Sequence, residues 1–339
     1  MKKGKKGSGP VIQKETGQNL TILGTESLGV RGLCCSVETA GRRIVIDPGI
    51  ALGYRRKGLL PHPVQIAVGS IIRERIVSEV ARATHVVFSH YHGDHIPLEN
   101  PNPFQLSLKD NLAVFRSPRI FAKKSSMENE KMKARADQLV YYLGGDMFVE
   151  PGFDDGIISF PCILPHGEDA SPLGNVMLTR VRMGQEVFLH ASDIQLLSTR
   201  SVLAILEISP DTLFVSGPPL YLGRLRPELV RKAWKNATLL AENIRTVIID
   251  HHLFRSEEGL VWLENLNEHA RGKVWSGAGY MGLTPHLLES MRSVLYRDIT
   301  VPENWHAGFF KGMESTEQYL SLAGDRYPWF SYHVLTGHN

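Results

Sequence analysis

Cysteine is scarce in this chain: 3 in 339 residues, two of them adjacent as Cys34 and Cys35, with Cys162 standing apart from any CxxC partner. A disulfide framework is thereby excluded, and a reducing, cytoplasmic setting is the expectation. No apolar run approaches the roughly 18 residues of a spanning helix. The segment Met1 to Pro10, rich in Lys, Gly and Ser, lacks the apolar core of a signal peptide. The reading is of a protein that is neither exported nor embedded in a membrane. Charge of one sign is lacking too. The formal net charge of +3 is more than supplied by Lys2, Lys3, Lys5 and Lys6, so the body is close to neutral. Broad, sequence-independent nucleic-acid binding is disfavoured on that ground. Residues 1–15 read as a disordered basic tail.

With 42% hydrophobic and 22% charged residues, the chain can bury a full core. From Leu20 onward, short apolar runs alternate with longer amphipathic stretches, the pattern of an α/β protein. Strands are expected at Thr21 to Gly24, Leu33 to Thr39 and Arg43 to Asp47, the last stopped by Asp47-Pro48-Gly49. A helix from Val68 to Ala81 leads into a strand at His85 to Ser89. After a loop-rich, partly helical region with a charged stretch from Lys123 to Leu139, strands recur at Ile157 to Leu164, Val176 to Arg182 and Glu186 to Ala191. The last two are joined through Met183-Gly184-Gln185. Helices at Leu196 to Leu206 and after Pro227 alternate with strands at Thr212 to Ser216 and Thr246 to Asp250. Further helices follow near Glu257 to His269 and Pro285 to Tyr296. Residues 301–339, with Trp305, Phe309, Phe310, Tyr319, Tyr327, Trp329, Phe330 and Tyr332, are too aromatic for a solvated tail. They are expected to pack on the domain formed by residues 16–300 or on a second subunit, which would make a homo-oligomer.

Chemistry concentrates in His90-Tyr91-His92-Gly93-Asp94-His95, where a strand delivers three imidazoles and a carboxylate within six residues. Alternation along the strand points His90 and His92 the same way, toward one metal, and leaves Asp94 and His95 for a second. Two cations need more donors than one loop supplies. His166, Asp193 and His251 each stand just past an apolar strand, where α/β sheets place ligands.

The order HxHxDH, then His166, Asp193 and His251, preceded by a strand ending in Asp-Pro-Gly, resembles the metallo-β-lactamase superfamily. More closely, Glu26 to Arg31, Arg55 to Leu59, Pro165-His166-Gly167, Ser216-Gly217-Pro218-Pro219 and Asp250-His251-His252-Leu253 resemble an uncharacterised group of predicted hydrolases in that superfamily, familiar from archaea. The likeness spans Leu20 to Tyr296. It implies a four-layer αββα sandwich in which His90, His92 and His166 hold one metal, Asp94, His95 and His251 the other, and Asp193 bridges. His252 is the alternative last ligand. His251 is preferred because Arg255 follows it by four residues, as an arginine follows the terminal histidine in the tRNA 3′-processing branch. The metals expected are two divalent ions, zinc first, with manganese or iron as alternatives.

Such a pair of cations activates hydroxide toward a phosphoryl or carbonyl centre, with Asp94 and Asp193 as the catalytic carboxylates and Asp94 as the proton acceptor. Asp47 and Asp250 are expected to brace ligand imidazoles. Arg31, Arg55 and the neighbouring Arg56, with Tyr221 and Arg224, are candidate substrate contacts, because guanidinium forks fit phosphate oxygens. A small-molecule or nucleotide phosphoester or phosphodiester is therefore the expected substrate. Lactones, amides or thioesters are the alternative, and a non-catalytic metal-stabilised binding module is a third reading. The 57 residues between Asp193 and His251 are too few for the added nucleic-acid domain of the larger nuclease branch, which disfavours a simple exonuclease of that branch; nucleic acid otherwise stays an open partner.

Overall fold

The computed structural model describes residues 18–125, 128–223 and 225–330; the expected basic tail lies outside them. The first half folds into β1 (Asn19–Thr25), β2 (Leu33–Thr39), β3 (Arg42–Ile46), α1 (Pro63–Arg82), β4 (His85–Phe88), α2 (Leu112–Phe115), β5 (Arg119–Lys123), α3 (Glu130–Leu143) and β6 (Phe148–Val149). Then come β7 (Ile158–Ser159), β8 (Ile163–Pro165), β9 (Asn175–Met177), β10 (Thr179–Met183), β11 (Glu186–Ser192), α4 (Thr199–Ile208), β12 (Thr212–Ser216), α5 (Pro227–Asn243) and β13 (Thr246–Asp250). The chain continues through α6 (Glu258–His269), β14 (Val274–Trp275), α7 (Gly277–Tyr280), α8 (Arg292–Asp298), α9 (Trp305–Phe310) and α10 (Glu317–Arg326).

Two six-stranded sheets result, ordered β1-β2-β3-β4-β5-β6 and β14-β13-β12-β11-β10-β7. In the second, side chains alternate as the pleat requires. Phe188, Phe214 and Ile248 join the core shared with the first sheet, while Leu189, Leu213, Val215, Val247 and Ile249 pack on Val202, Ala233, Leu240 and Leu266 of α4, α5 and α6. Helix α1 covers the outer face of the first sheet, with Ile72 and Ile76 against Gly24. The layers are thus αββα, the metallo-β-lactamase sandwich that the sequence resemblance implies.

Local chemistry explains where several elements begin and end. Pro63 opens α1 with a ring that needs no hydrogen bond there. His62 caps it: its Nδ1 accepts from Val64 N at 3.2 Å, and its own backbone N–H donates to Gln65 Oε1 at 3.0 Å. The expected β10–β11 hairpin forms, with Met183 paired to Glu186 around the two-residue loop Gly184-Gln185 and Gly184 at φ 61°.

Other elements differ from expectation. The strand read over Ile157 to Leu164 divides at Pro161, which has no N–H to donate, into β7 and β8 in different sheets. Val176 to Arg182 divides likewise into β9 and β10, where Leu178 N turns to Cys162 O. Strand β5 forms within the region read as loop and helix. The helix expected from Pro285 begins only at Arg292, because the preceding stretch is tied to the site edge, with His286 N donating to Ser27 O at 2.7 Å. Of the aromatic C-terminal residues, Trp305, Tyr319, Tyr327 and Phe330 are buried in the core shared with α1. Phe310 is exposed, and Tyr332 lies outside the described residues.

The consequence for function is that β3, β4, β8, β11 and β13 all end at one edge, delivering Asp47, Ser89-His90, His166, Asp193 and Asp250-His251 to it.

Candidate metal centre

Asp193 is the hub. Its Oδ2 lies 3.0 Å from His166 Nε2, 3.3 Å from His252 Nε2, 3.4 Å from both His95 Nε2 and His251 Nε2, and 3.8 Å from His90 Nε2. Its Oδ1 is buried without a hydrogen-bond partner. Such an orphan oxygen, on a carboxylate whose other oxygen is ringed by imidazole nitrogens, is what a bound cation would satisfy.

The donor atoms fall into overlapping groups. His90, His92, His166 and Asp193 each bring one ligand atom within 4.8 Å of the others, and so do Asp94, His95 and His251. A third group, Asp193, His251 and His252, meets the same test, as do Asp47, His90 and His95. All seven sequence-chosen ligands therefore converge, and His252 with them.

Three carboxylates hold this arrangement from behind. Asp47 takes the Nδ1–H of His95 at 2.9 Å, the Ser89 hydroxyl at 2.6 Å and the Ser192 hydroxyl at 3.0 Å, in keeping with its expected bracing role. Asp250 does not brace an imidazole. Its carboxylate accepts from the Thr25 hydroxyl and from the backbone N–H groups of Ser27, His251 and Gly277, at 2.7 to 3.1 Å, because it sits below the turn that starts at His251. The carboxylate that does meet the His251 ring is Glu26, at 2.6 Å from Nδ1. Glu26 also receives Arg255 Nε at 2.6 Å, while Arg255 Nη2 reaches Asp94 Oδ2 at 3.3 Å.

Close packing serves the same end. A Cβ on Gly49 would fall on the backbone of His95 and Ile96. The glycine of Asp47-Pro48-Gly49 is therefore needed for the approach of the ligand loop, beyond shaping a turn. Tyr91, buried inside the motif, donates its hydroxyl to Lys123 O and so ties the loop to the end of β5.

The electrostatics follow from burial and crowding. Burial, reinforced by neighbouring imidazoles, keeps His90 far below the ordinary histidine range and pushes His92 down to about 3. Burial opposes ionisation of Asp94 and Asp193, yet the surrounding histidines, with Arg255 for Asp94, hold both well below the usual carboxylate range. Burial also opposes charge on His251, but Asp193 and Glu26 raise it to about 9. Burial opposes charge on His95 too, but Asp193 and Asp47 raise it, so His95 and His251 would give up a proton to a bound cation; with His90, His92 and the anionic carboxylates they then form a donor set for borderline divalent ions.

The expected substrate contacts are only partly brought to this edge. Tyr221 is: its hydroxyl lies 3.2 Å from His252 Nδ1 and accepts from Arg255 Nη1 at 3.3 Å, with its ring nearly parallel to the imidazole. Arg31 is paired with Glu289, and Arg55 is exposed, donating to Gly58 O at 3.1 Å within its own turn. Arg56 instead points inward, over the Tyr221 ring. Arg224 lies outside the described residues.

No family model matches the sequence. Curated relatives do: a UPF0282 protein of Methanosarcina mazei is 42% identical over 301 residues, covering 89% of this chain and 99% of that protein. The chain belongs to the UPF0282 family. A UPF0282 protein of Aeropyrum pernix is 32% identical over 295 residues, covering 81% of this chain and 97% of its own length. The family is thus the archaeal group the motifs resemble, and its αββα layering is the fold that the resemblance implies. Among solved structures, a metal-dependent hydrolase of the β-lactamase superfamily shares 13% identity at a TM-score of 0.43, covering 76% of this chain and 95% of that one. An isothiocyanate hydrolase from Delia radicum gut bacteria shares 16% identity at a TM-score of 0.42, covering 76% and 95% respectively. Among the described residues of this UPF0282 chain, no helix is long and apolar enough to cross a membrane.

Proposed function

We propose that the protein is a metal-dependent hydrolase that holds two divalent cations in this cluster and cleaves phosphoesters or phosphodiesters. The observation that carries the reading is the Asp193 carboxylate, with one oxygen ringed by five imidazoles and the other a buried orphan. His90, His92 and His166 would hold one cation, Asp94, His95 and His251 the other, with Asp193 between them. Zinc suits this nitrogen and carboxylate set, and manganese or iron would also be accepted. Bound there, two such cations would lower the pKa of an attacking water and stabilise the negative charge that develops on the reacting centre.

The chain's own groups divide the remaining work. Asp94 keeps 19% of its side chain open and stays ionised beside Arg255, so it can accept the water's proton and orient its attack. Glu26 fixes the ring of His251, and Asp47 that of His95, so that each presents Nε2 inward. The phosphoester preference is supported by the basic lip of the site, where the four arginines Arg31, Arg56, Arg255 and Arg292 outnumber their three carboxylate partners Glu26, Asp94 and Glu289.

Turnover of an aryl phosphodiester, a phosphomonoester and a lactone by wild type, His92→Ala and Asp193→Ala tests the reading. Phosphoester cleavage lost in both variants is the expected result. Activity on the lactone alone would replace the substrate class, and phosphoester turnover that survives both substitutions would overturn the assignment.

A further inference from the structure

The basic lip holds a charge imbalance that the hydrolytic step leaves unused. Arg31, Arg56 and Arg292 converge on one carboxylate, Glu289, at 2.5, 3.7 and 3.3 Å. Among the described residues, no other carboxylate forms an ion pair with any of the three. Glu289 is buried and also accepts from Gly53 N at 3.1 Å. A Cβ on Gly53 would fall on the Arg31 guanidinium and the Glu289 carboxylate, so the group is packed without slack. The crowding registers in the ionisation of Arg292, which burial lowers to about 10, with Arg31 and Arg56 adding repulsion.

The three cations are not equivalent. Arg292 is buried, donating to Gln65 Oε1 at 2.9 Å and Leu59 O at 3.1 Å, which makes it a structural strut. Arg31 is anchored by backbone hydrogen bonds to Ala51 in both directions. Arg56 stands at the mouth, with 18% of its side chain open. Its guanidinium donates to the Arg255 carbonyl and lies 5.7 Å from the centre of the Tyr221 ring. Arg255 lies 5.7 Å from the same ring, which stacks on His252 beside Asp193. One residue therefore links the unbalanced charge to the open side of the candidate metal centre, with N–H donors left over from its one hydrogen bond.

Taking the position of the reacting group from the hydrolase reading, we propose that Arg56 binds a second phosphate group of the substrate, away from the bond being cut. The substrate class is then a small phosphoester carrying a further phosphate. Arg31 and Arg292 supply the surplus positive charge, the Tyr221 ring holds the guanidinium plane, and the planar fork matches tetrahedral oxyanion geometry. Arg55, next in sequence but spent on its own turn, has no part in it.

Calorimetric titration of the metal-loaded full chain with orthophosphate and with pyrophosphate tests this, in wild type, Arg56→Gln, Arg56→Lys and Arg55→Gln. Wild type should bind pyrophosphate about tenfold more tightly than orthophosphate, the scale of one charge-assisted contact. Arg56→Gln should shrink that ratio to about twofold while leaving orthophosphate affinity in place. Arg56→Lys should restore part of it, and Arg55→Gln should match wild type. A ratio unchanged in Arg56→Gln, or reduced as much in Arg55→Gln, overturns the subsite whatever the metal content. Protein that holds no metal yet shows an Arg56-dependent pyrophosphate affinity would overturn the two-metal reading and leave the subsite standing.

Discussion

Glu26 and His251 are 225 positions apart in sequence, yet a carboxylate oxygen of one lies 2.6 Å from Nδ1 of the other, both fully buried. The contact fixes which nitrogen of His251 faces Asp94, His95 and Asp193. Replacing Glu26 with Gln keeps the volume and removes the charge. The expected outcome is a loss of about 10- to 100-fold in affinity for the second cation, with the first retained. Competition with a chromogenic chelator measures it, and unchanged affinity would remove Glu26 from the metal site.

His251 and His252 compete for the role of last ligand, and both point Nε2 at Asp193. The carboxylate behind His251 favours it, while His252 is engaged by the Tyr221 hydroxyl on the open side. His251→Ala should therefore drop one bound cation per chain, and His252→Ala should keep both while lowering turnover. The opposite pattern in elemental analysis would exchange their roles.

Gly49 is a test of packing. A methyl group there meets the backbone of His95 and Ile96, which cannot move without carrying the ligand loop away. Gly49→Ala should cost about 2 kcal/mol or more of stability and weaken metal retention together. Chemical denaturation with and without added zinc would reveal both losses, whereas a stable, fully loaded variant would show that the loop adapts.

His62 makes stability depend on pH away from the metal centre. Its Nδ1 accepts from Val64 N and its Nε2–H donates to Ile299 O at 3.0 Å, so the folded state holds the neutral ring. Burial lowers its pKa from 6.5 to about 4. Between those values the unfolded chain binds the extra proton, so the contribution is present in full above pH 6.5 and is lost as pH falls toward 4. Linkage sets the loss at ~3 kcal/mol. Denaturation midpoints of wild type and His62→Gln across pH 7 to 4 should converge, and parallel curves would contradict the assignment.

What the sequence makes legible here is what local spacing encodes. His90, His92, Asp94 and His95 are four donors within six residues at a strand end, and His166, Asp193 and His251 each follow an apolar run, so strand-end logic finds them without tertiary knowledge. Glu26 escapes that logic. It lies on a short 3-10 turn after β1, and nothing within its own neighbourhood marks it as the partner of a residue beyond β13. Asp250 is the converse: adjacent to His251, it looks like a brace for the ring, but its position under the turn commits it to backbone N–H groups. Arg55 and Arg56 are indistinguishable by type, and only the bend of the loop decides that one serves the turn and the other the site. The split of Ile157 to Leu164 could be anticipated from Pro161, whereas β5 owes its place to pairing with β4.

The most direct test of the central claim is the metal content of the full chain purified without chelator, compared with that of Asp193→Ala by elemental analysis. With Asp193 proposed to stand between the two cations, the account predicts close to two divalent transition metals per wild-type chain and a loss from both positions in the variant. A wild-type protein that neither carries nor takes up such ions, or an Asp193→Ala protein that binds them as fully, would contradict it.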